Sequence, residues 1–284
     1  MIFFSPPIQL PNTVDERSDF LKKIHSFKAT MITTSTPTEW TDKNVEICSR
    51  FLEDNGIRVG EFSLFHRGFD HEDATERDRA QEHYKRMIRH AKILGAHCVG
   101  FSTFGDRGMP GMWSDATWIR CLDAISRLAE QAESSKMDIA AHPHAMAPLC
   151  SINRYIEMLN HVDSHRLKVL IDITNLTWPQ RIFNTTELVN EIFDNLGQSI
   201  VALHAKDVII SGGSGVEAAK GMGVIHVDEA VPGTGFMDFH TIVKRLGMLD
   251  HDVTVNVEHF DYKDTLDGQS YIREVANKVK IHFR

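Results

Sequence analysis

Residues 114–144 read SDATWIRCLDAISRLAEQAESSKMDIAAHPH, and they contain one predicted helix followed by one predicted strand. From Ser114 to Gln131, apolar residues recur at three- and four-residue spacing, which predicts an amphipathic helix. The short β-rich run from Asp138 to His144 predicts a strand that follows the helix directly. A helix and a strand of these lengths form one unit of a parallel α/β fold.

The same alternation of patterns runs along the whole chain. Amphipathic stretches also cover Asn44–Asp54 and Asp78–Leu94, and Gly56 and Gly95 stand where these helices should end. Eight runs are predicted as strands: Ile2–Leu10, Lys28–Thr34, Arg58–Phe65, His97–Thr103, Asp138–His144, Lys168–Ile173, Ile200–Lys206 and Val253–His259. The glycine-rich gap between the last two is interpreted as an elaborated loop.

Eight alternating units predict an α/β fold, a (β/α)8 TIM barrel, in which residues 1–284 form a single domain. A doubly wound open sheet is the structural alternative. The G-x-G-x-x-G pattern expected after the first strand of such a sheet is absent, which favours the barrel. The length of 284 residues suits a barrel of about 250 residues with its loops.

The composition narrows the range of functions. Hydrophobic residues make up 42% and charged residues 25%, as in an ordinary soluble protein with a large core. The net charge of −8 at pH 7 argues against a nucleic-acid partner, which usually requires a basic stripe.

Location is predicted from equally simple features. The apolar start from Met1 to Leu10 is broken by Pro6 and Pro7, so it is expected to be a strand and not a signal peptide. No apolar stretch is long enough to cross a membrane. Four cysteines without a C-x-x-C pair predict reduced thiols: Cys48, Cys98, Cys121 and Cys150. The expectation is a cytoplasmic protein without a membrane partner.

Four consecutive predicted strands end with side chains that can bind a metal: His142, Asp172, His204 and Glu258. In parallel barrels the chemistry gathers at these carboxyl ends of the strands. Each residue alone has an ordinary explanation, as a hydrogen-bonded histidine, a helix-capping aspartate or a paired glutamate. Their coincidence on adjacent strands favours one bound divalent ion, because burying such groups together requires compensation. Two nitrogens and two carboxylates suit Mn²⁺, Zn²⁺, Fe²⁺ or Co²⁺.

Two longer elements carry a resemblance to a known family. They are His204-Ala205-Lys206-Asp207 and the Pro-Gly-x-Gly-x-x-Asp-Phe stretch from Pro232 to Phe239. With Asp172 and Glu258, they resemble the xylose isomerase-like barrel superfamily of sugar isomerases and epimerases. In its epimerase members, Glu, Asp, His and Glu from strands five to eight bind one metal. The resemblance therefore implies one divalent metal ion, with Mn²⁺ first and Zn²⁺, Fe²⁺, Co²⁺ or Mg²⁺ as alternatives.

The sequence departs from the epimerase pattern at two positions. His142 replaces the strand-five glutamate, and Asn175 replaces the histidine usually found three residues after the strand-six aspartate. In the epimerases the two metal-bound glutamates act as opposed acid and base, so the replacement breaks this pair. A one-base epimerase, an isomerase or a lyase is then expected.

The run His142-Pro143-His144 narrows the resemblance further. It resembles a branch with 3-keto-glycoside epimerases and the α subunits of C-glycoside deglycosidases, and inosose dehydratases carry similar elements. All three begin by removing a proton next to a ketone and forming a metal-stabilised enediolate. The resemblance implies a keto sugar or keto-glycoside as the small-molecule substrate, with a lyase as the alternative. A homo-oligomer, or a small partner subunit in the deglycosidase case, is the implied assembly.

The proton-transfer groups are predicted from strand geometry. Side chains alternate along a strand, so His144 should face the same side as His142 and act as the catalytic base. Glu258 is the alternative base, and hydrogen bonding to a metal ligand is the alternative role of His144. Lys206 should likewise face the side of His204 and stabilise an oxyanion.

Several of these residues could instead have purely structural roles. Lys206 could instead form a salt bridge with Asp207 or Asp172. Four further residues are predicted to contact the substrate: Trp113, Asn175, His66 and His226. An exposed tryptophan is often only packing, and a histidine at a strand end or in a loop is often structural.

Two other function classes compete with the sugar enzyme. A DNA-repair endonuclease of the same fold resembles the chain at several strand ends, but it needs three metals and more ligands. Here strand four ends Phe101-Ser102-Thr103-Phe104 without a ligand, and the acidic charge opposes it. A non-catalytic sugar-binding barrel is the remaining alternative.

Overall fold

The computed structural model of the chain describes residues 1–63, 68, 71–103, 111–211 and 227–284. Its strands are β1 (Ile2–Phe4), β2 (Met31–Thr34), β3 (Arg58–Ser63), β4 (Cys98–Ser102), β5 (Ile139–His142), β6 (Leu167–Asp172), β7 (Ile200–Ala205), β8 (Asp207–Ile210), β9 (Val227–Ala230) and β10 (Val253–Val257). The helices in these ranges are α1 (Arg17–Phe27), α2 (Asp42–Asp54), α3 (Ala74–Ile93), α4 (Asp115–Ser135), α5 (Ile152–Val162), α6 (Thr185–Leu196), α7 (Phe239–Gly247) and α8 (Tyr262–Val279). None of these helices is long and apolar enough to cross a membrane.

Eight of the strands form one parallel sheet in the order β1-β10-β7-β6-β5-β4-β3-β2. The sheet curls round so that its two ends meet, where Pro7 bridges Thr33. Two backbone hydrogen bonds join these ends: Thr33 donates to Pro6 at 2.9 Å, and Ile8 donates to Thr33 at 3.0 Å. The predicted (β/α)8 TIM barrel, formed as a single domain, is confirmed.

The strands are shorter than the sequence patterns predicted, and proline explains two of the differences. β1 ends at Phe4 instead of Leu10, because Pro6 and Pro7 have no amide hydrogens to extend a strand ladder. β5 ends at His142 instead of His144 for the same reason, since Pro143 follows it directly. This second difference changes the prediction for His144, as described below.

A small apolar cluster fills the barrel beneath the candidate site. Cys98, Ala140, Leu170 and Ala202 are fully buried and form, with Val201, a cluster separate from the main core. Three of these residues precede a predicted ligand by two positions on the same strand, so they point to the same side of the sheet. The ligands therefore stand on a packed floor.

The predicted elaborated loop after β7 begins and ends as an antiparallel hairpin of β8 and β9, which sequence reasoning missed. Residues 212–226 between the two strands lie outside the described residues. Beyond β9, the chain turns through the Pro232–Phe239 element into α7.

The buried carboxylate of Asp207 organises this turn. It accepts hydrogen bonds from the amides of Gly233 and Gly235 at 2.9 Å, and from the amides of Met237 and Val208 at 2.8 Å. Gly233 has a φ of +95°, a conformation that side-chain-bearing residues rarely adopt. The Asp207 carboxylate thus joins the His204–Asp207 element to the Pro232–Phe239 element.

Gly235→Ala is expected to destabilise the protein, because an added Cβ would lie against the Val208 carbonyl and the Asp207 carboxylate. The cost should be about 1–3 kcal/mol in the free energy of unfolding, as for other overpacked sites. Urea denaturation measures it. Gly111→Ala is the matched control, because a Cβ at that position meets no atom of the described residues within 4 Å. Equal stability of the two variants would contradict the role of Asp207 as the clamp of this turn.

Candidate metal centre

The four predicted ligands lie together at the carboxyl ends of their strands. His142, Asp172, His204 and Glu258 each offer a ligand atom, and these atoms all lie within 4.8 Å of one another. His142, Asp172 and His204 are buried, and Glu258 is partly buried. In the sheet, Asp172 pairs in register with His204, which brings two ligands side by side. The group could hold one metal ion.

The electrostatics of the ligands fit a cation. Burial lowers the pKa of His142, which keeps its imidazole neutral and able to offer a lone pair. Burial raises the pKa of Asp172, but the charge of Lys206 and the hydrogen bond from His142 hold it well below its usual range. Burial also raises the pKa of Glu258, and the charges of His204 and Lys206 outweigh this effect. Both carboxylates are therefore ionised at neutral pH.

Two polar atoms without hydrogen-bond partners among the described residues, beside the ligands, also support a bound group at this site. Ser102 pairs in register with His142, and Asn256 pairs in register with His204. The buried Ser102 Oγ and Asn256 Oδ1 have no hydrogen-bond partner among the described residues. Since buried polar atoms are rarely left unpaired, these two fit a site completed by a bound group.

His204 lies between two carboxylates. Its Nδ1 is 2.9 Å from Glu258 Oε2, and its Nε2 is 2.9 Å from Glu61 Oε2. Burial lowers the pKa of His204, but the charges of Glu258 and Glu61 more than offset this and raise it well above its ordinary value. In the metal-free protein, the imidazolium therefore supplies part of the positive charge that the carboxylates require.

Lys206 places a second positive charge in the same cluster. Its Nζ lies 2.8 Å from Asp172 Oδ2, 2.8 Å from Glu229 Oε1 and 3.1 Å from Glu258 Oε2. Burial lowers the pKa of Lys206, but the charges of the three carboxylates outweigh this effect and raise the pKa above its ordinary value. The side chain therefore stays charged. Of the two salt bridges considered from the sequence, the one to Asp172 is present. Asp207 instead binds backbone amides.

Asn175 contacts Asp172 directly. Its backbone amide donates to Asp172 Oδ1 at 3.0 Å, and its Nδ2 donates to Asp172 Oδ2 at 2.8 Å and to the Pro143 carbonyl at 3.2 Å. These bonds fix the orientation of the Asp172 carboxylate. The predicted substrate contact of Asn175 stays a prediction, and it would use the amide oxygen.

His144 does not lie on a strand, which corrects the argument from strand alternation. It follows Pro143 in a turn, and its Nδ1 accepts a hydrogen bond from the Met146 amide at 2.9 Å. A neutral ring that accepts at Nδ1 carries its proton on Nε2. In this arrangement His144 can donate a hydrogen bond to a substrate, but it has no lone pair at Nε2 with which to act as a base.

Trp113 lies against the turn that holds His144. Its side chain is 46% exposed, and its Nε1 donates to the Ala145 carbonyl at 3.3 Å. This position suits the predicted role of covering a sugar face, which stays a prediction. His66 and His226, the other two predicted substrate contacts, lie outside the described residues.

Sequence reasoning missed two acidic residues of the cluster. Glu61 is fully buried in β3, where a carboxylate between the apolar Val59 and Phe62 was a signal that could have been noticed. Glu229, on β9, pairs with Lys206 and lies 2.8 Å from His259 Nδ1. No local pattern marked Glu229, because the hairpin itself was not predicted.

Fold and site together define the class of protein. The profile of the xylose isomerase-like TIM barrel family matches residues 21–280, and the chain belongs to this family. No curated protein matches the sequence significantly.

Solved structures share the barrel at low sequence identity. A xylose isomerase-like TIM barrel protein from Mycobacterium smegmatis in complex with magnesium has a TM-score of 0.72 and 13% identity, with 97% of each chain covered. D-Psicose 3-epimerase with D-tagatose, from Clostridium cellulolyticum H10, has a TM-score of 0.70 and 12% identity, covering 98% of this chain and 100% of that one. The 3-keto-D-glucoside 4-epimerase YcjR from E. coli has a TM-score of 0.68 and 13% identity, covering 95% and 99%. At these identities the likeness shows the fold.

Proposed function

We propose that this protein is a metal-dependent isomerase or epimerase that acts on a keto sugar or a keto-glycoside by removing the proton next to the ketone. The observation that carries the proposal is the meeting of His142, Asp172, His204 and Glu258 at the barrel mouth, with ligand atoms within 4.8 Å of one another. Family membership supports it, and so do two structural relatives whose names specify sugar 3- or 4-epimerases.

The proposed metal is one divalent ion held by these four residues. Mn²⁺ is the expected ion, because mixed imidazole and carboxylate ligands suit it, with Zn²⁺, Fe²⁺, Co²⁺ and Mg²⁺ as alternatives. When bound, such an ion supplies a Lewis acid that polarises the substrate carbonyl and offsets the negative charge that develops on it.

The proton transfer is assigned to Glu258, and a hydrogen bond to the substrate is assigned to His144. Glu258 is ionised and partly exposed, so its carboxylate has the lone pair and the access that a base needs. His144, with its proton on Nε2, donates a hydrogen bond to a substrate oxygen. Glu258, which the sequence suggested as the alternative base, therefore takes the base role in place of His144. The reason is that the hydrogen bond from the Met146 amide occupies Nδ1 of His144.

Lys206 is assigned a positioning role beside these groups. Its ammonium is fully buried and ion-paired with Asp172 and Glu258, so it holds two proposed metal ligands in place. Direct stabilisation of a substrate oxyanion, the other role predicted for it, would require one of these ion pairs to open. Trp113, which hydrogen-bonds the turn of His144, is assigned to the substrate face of the site.

A lyase is the second candidate, and one observation favours it. With His142 in place of a glutamate, the ligand group lacks the second glutamate that a symmetric epimerase uses to protonate the opposite face. Deprotonation by Glu258 followed by loss of a β-leaving group needs only one such base.

The test is a proton-exchange assay in deuterated buffer with 3-keto-glucosides and ketohexoses as substrates. Deuterium should enter the carbon next to the ketone, stop after chelation and return with added Mn²⁺. Epimeric product identifies the epimerase, and release of the aglycone or of water identifies the lyase. Binding of these sugars without exchange would instead favour the non-catalytic barrel. Abasic-site duplexes should stay intact in a parallel assay, and their efficient incision would overturn the sugar-enzyme assignment.

A further inference from the structure

We propose that Glu61 is a positioning residue that fixes the ring of His204, so that Nδ1 is presented to the metal and Nε2 carries the proton. The inference rests on the proposed metal centre. It starts from the two sides of the ring. Nδ1 is 2.9 Å from Glu258 Oε2, an atom of a residue in the ligand group, whereas Nε2 is 2.9 Å from Glu61 Oε2.

A histidine that binds a metal must offer a lone pair at one nitrogen and keep its proton on the other. A carboxylate hydrogen-bonded to the protonated nitrogen selects this tautomer, fixes the ring orientation and increases the basicity of the ligating nitrogen. Glu61 stands where such a carboxylate is required. Without it, either nitrogen of His204 could carry the proton.

Glu61 reaches His204 from the far wall of the barrel. In the strand order β1-β10-β7-β6-β5-β4-β3-β2, β3 and β7 are separated by three strands on either side once the barrel is closed. The side chain therefore crosses the barrel interior, where it is completely buried. A carboxylate this deep would be costly without partners, and its partner across the barrel is a proposed metal ligand.

The surroundings of Glu61 are shaped to hold its carboxylate. Ser63, on the same strand, hydrogen-bonds Oε1 and so leaves Oε2 directed to His204. Gly100 on β4 opens the space, because a Cβ there would lie 2.8 Å from Glu61 Oε1 and 2.9 Å from Leu170 Cδ1. A residue with any side chain at position 100 would displace the carboxylate or the floor of the site.

The first experiment uses the wild-type protein loaded with Zn²⁺, which is diamagnetic, and observes the imidazole nitrogens by NMR. The His204 signals are identified by their loss in His204→Gln. We expect metal at Nδ1 and a hydrogen-bonded proton on Nε2. Metal at Nε2 would overturn the inference, and this outcome does not depend on any variant of Glu61 being folded.

The second experiment compares two variants by competition with a zinc chelator. Glu61→Leu removes the acceptor and should weaken Zn²⁺ binding about 10- to 100-fold, the range seen when such hydrogen-bond partners of metal ligands are lost. Glu61→Gln keeps an acceptor oxygen, so it should lose less affinity and retain the Nε2–H signal. Wild-type affinity in Glu61→Leu would overturn the inference. If Glu61→Leu does not fold, Glu61→Gln provides the test. An unchanged Zn²⁺ affinity together with a changed tautomer of His204 in Glu61→Gln would overturn the inference.

Glu229→Gln is the matched control, because it changes a carboxylate of the cluster that contacts Lys206 and His259 but does not pair with His204. Its His204 tautomer should equal that of the wild type. The outcomes also separate the two proposals. If the wild-type protein binds no divalent ion, the proposed metal centre itself is wrong. If the wild type and the Glu61 variants bind Zn²⁺ equally tightly, only the positioning role of Glu61 is wrong.

Discussion

Asp172→Ala and His204→Ala should each reduce the metal content of the purified protein from about one divalent ion per chain to almost none. Each change removes one of four ligand atoms that lie within 4.8 Å of one another, and no other residue of the ligand group replaces it. Elemental analysis after dialysis against trace Mn²⁺ measures the loss. The wild type should also gain about 2.7 kcal/mol of stability when the ion is present at one hundred times its Kd, and the variants should not.

His165→Ala is a suitable control for the histidine change, because His165 is an exposed residue paired with Glu133 outside the ligand group. Its metal content should match the wild type. Full occupancy in both Asp172→Ala and His204→Ala would exclude the proposed ligand set. Partial loss in only one of them would point to a three-residue site.

His144→Ala should lower turnover by about 10²–10³-fold, the contribution of one hydrogen-bond donor positioned at a developing negative charge, while the metal content and the fold are unchanged. The reason is that His144 lies outside the ligand group, in a turn held by the Met146 amide. His142→Ala should differ by losing the metal as well. Steady-state kinetics together with elemental analysis separate the two histidines.

His144→Gln distinguishes a donor from a base. A glutamine amide can donate a hydrogen bond much as Nε2–H does, but it cannot take up a proton, so it should recover part of the activity lost in His144→Ala. Equal loss in both variants would return the base role to His144. Deuterium exchange next to the ketone at the wild-type rate in His144→Ala would assign the base to Glu258 directly.

The barrel and the four clustered side chains could be predicted because both depend on short-range patterns. Alternating strand and helix periodicities define the units, and a polar residue that ends an apolar run marks the carboxyl end of a strand. The ends of β1 and β5 were predicted too far along the chain, although Pro6, Pro7 and Pro143 were visible. The error for β5 carried over to the role of His144.

Contacts between distant elements could not be predicted in the same way. Glu61 and His204 are 143 residues apart, and nothing in a local pattern states which strands face each other across a barrel. Glu229 reaches Lys206 only because β8 and β9 form a hairpin, which periodicity did not distinguish from a loop. The tautomer of His144 likewise depends on a two-residue turn contact to Met146.

The neighbouring residues Lys206 and Asp207 limit how the chain length can change between His204 and Asp207. Lys206 directs its charge into the ligand cluster, whereas Asp207 binds the amides of the turn around Gly233 and Gly235. Because successive side chains of an extended segment point in opposite directions, inserting or deleting one residue between His204 and Asp207 would exchange these two tasks. A change of chain length within the four residues from His204 to Asp207 is therefore expected to disrupt both the ligand cluster and the turn, because the alternation of side chains sets their spacing.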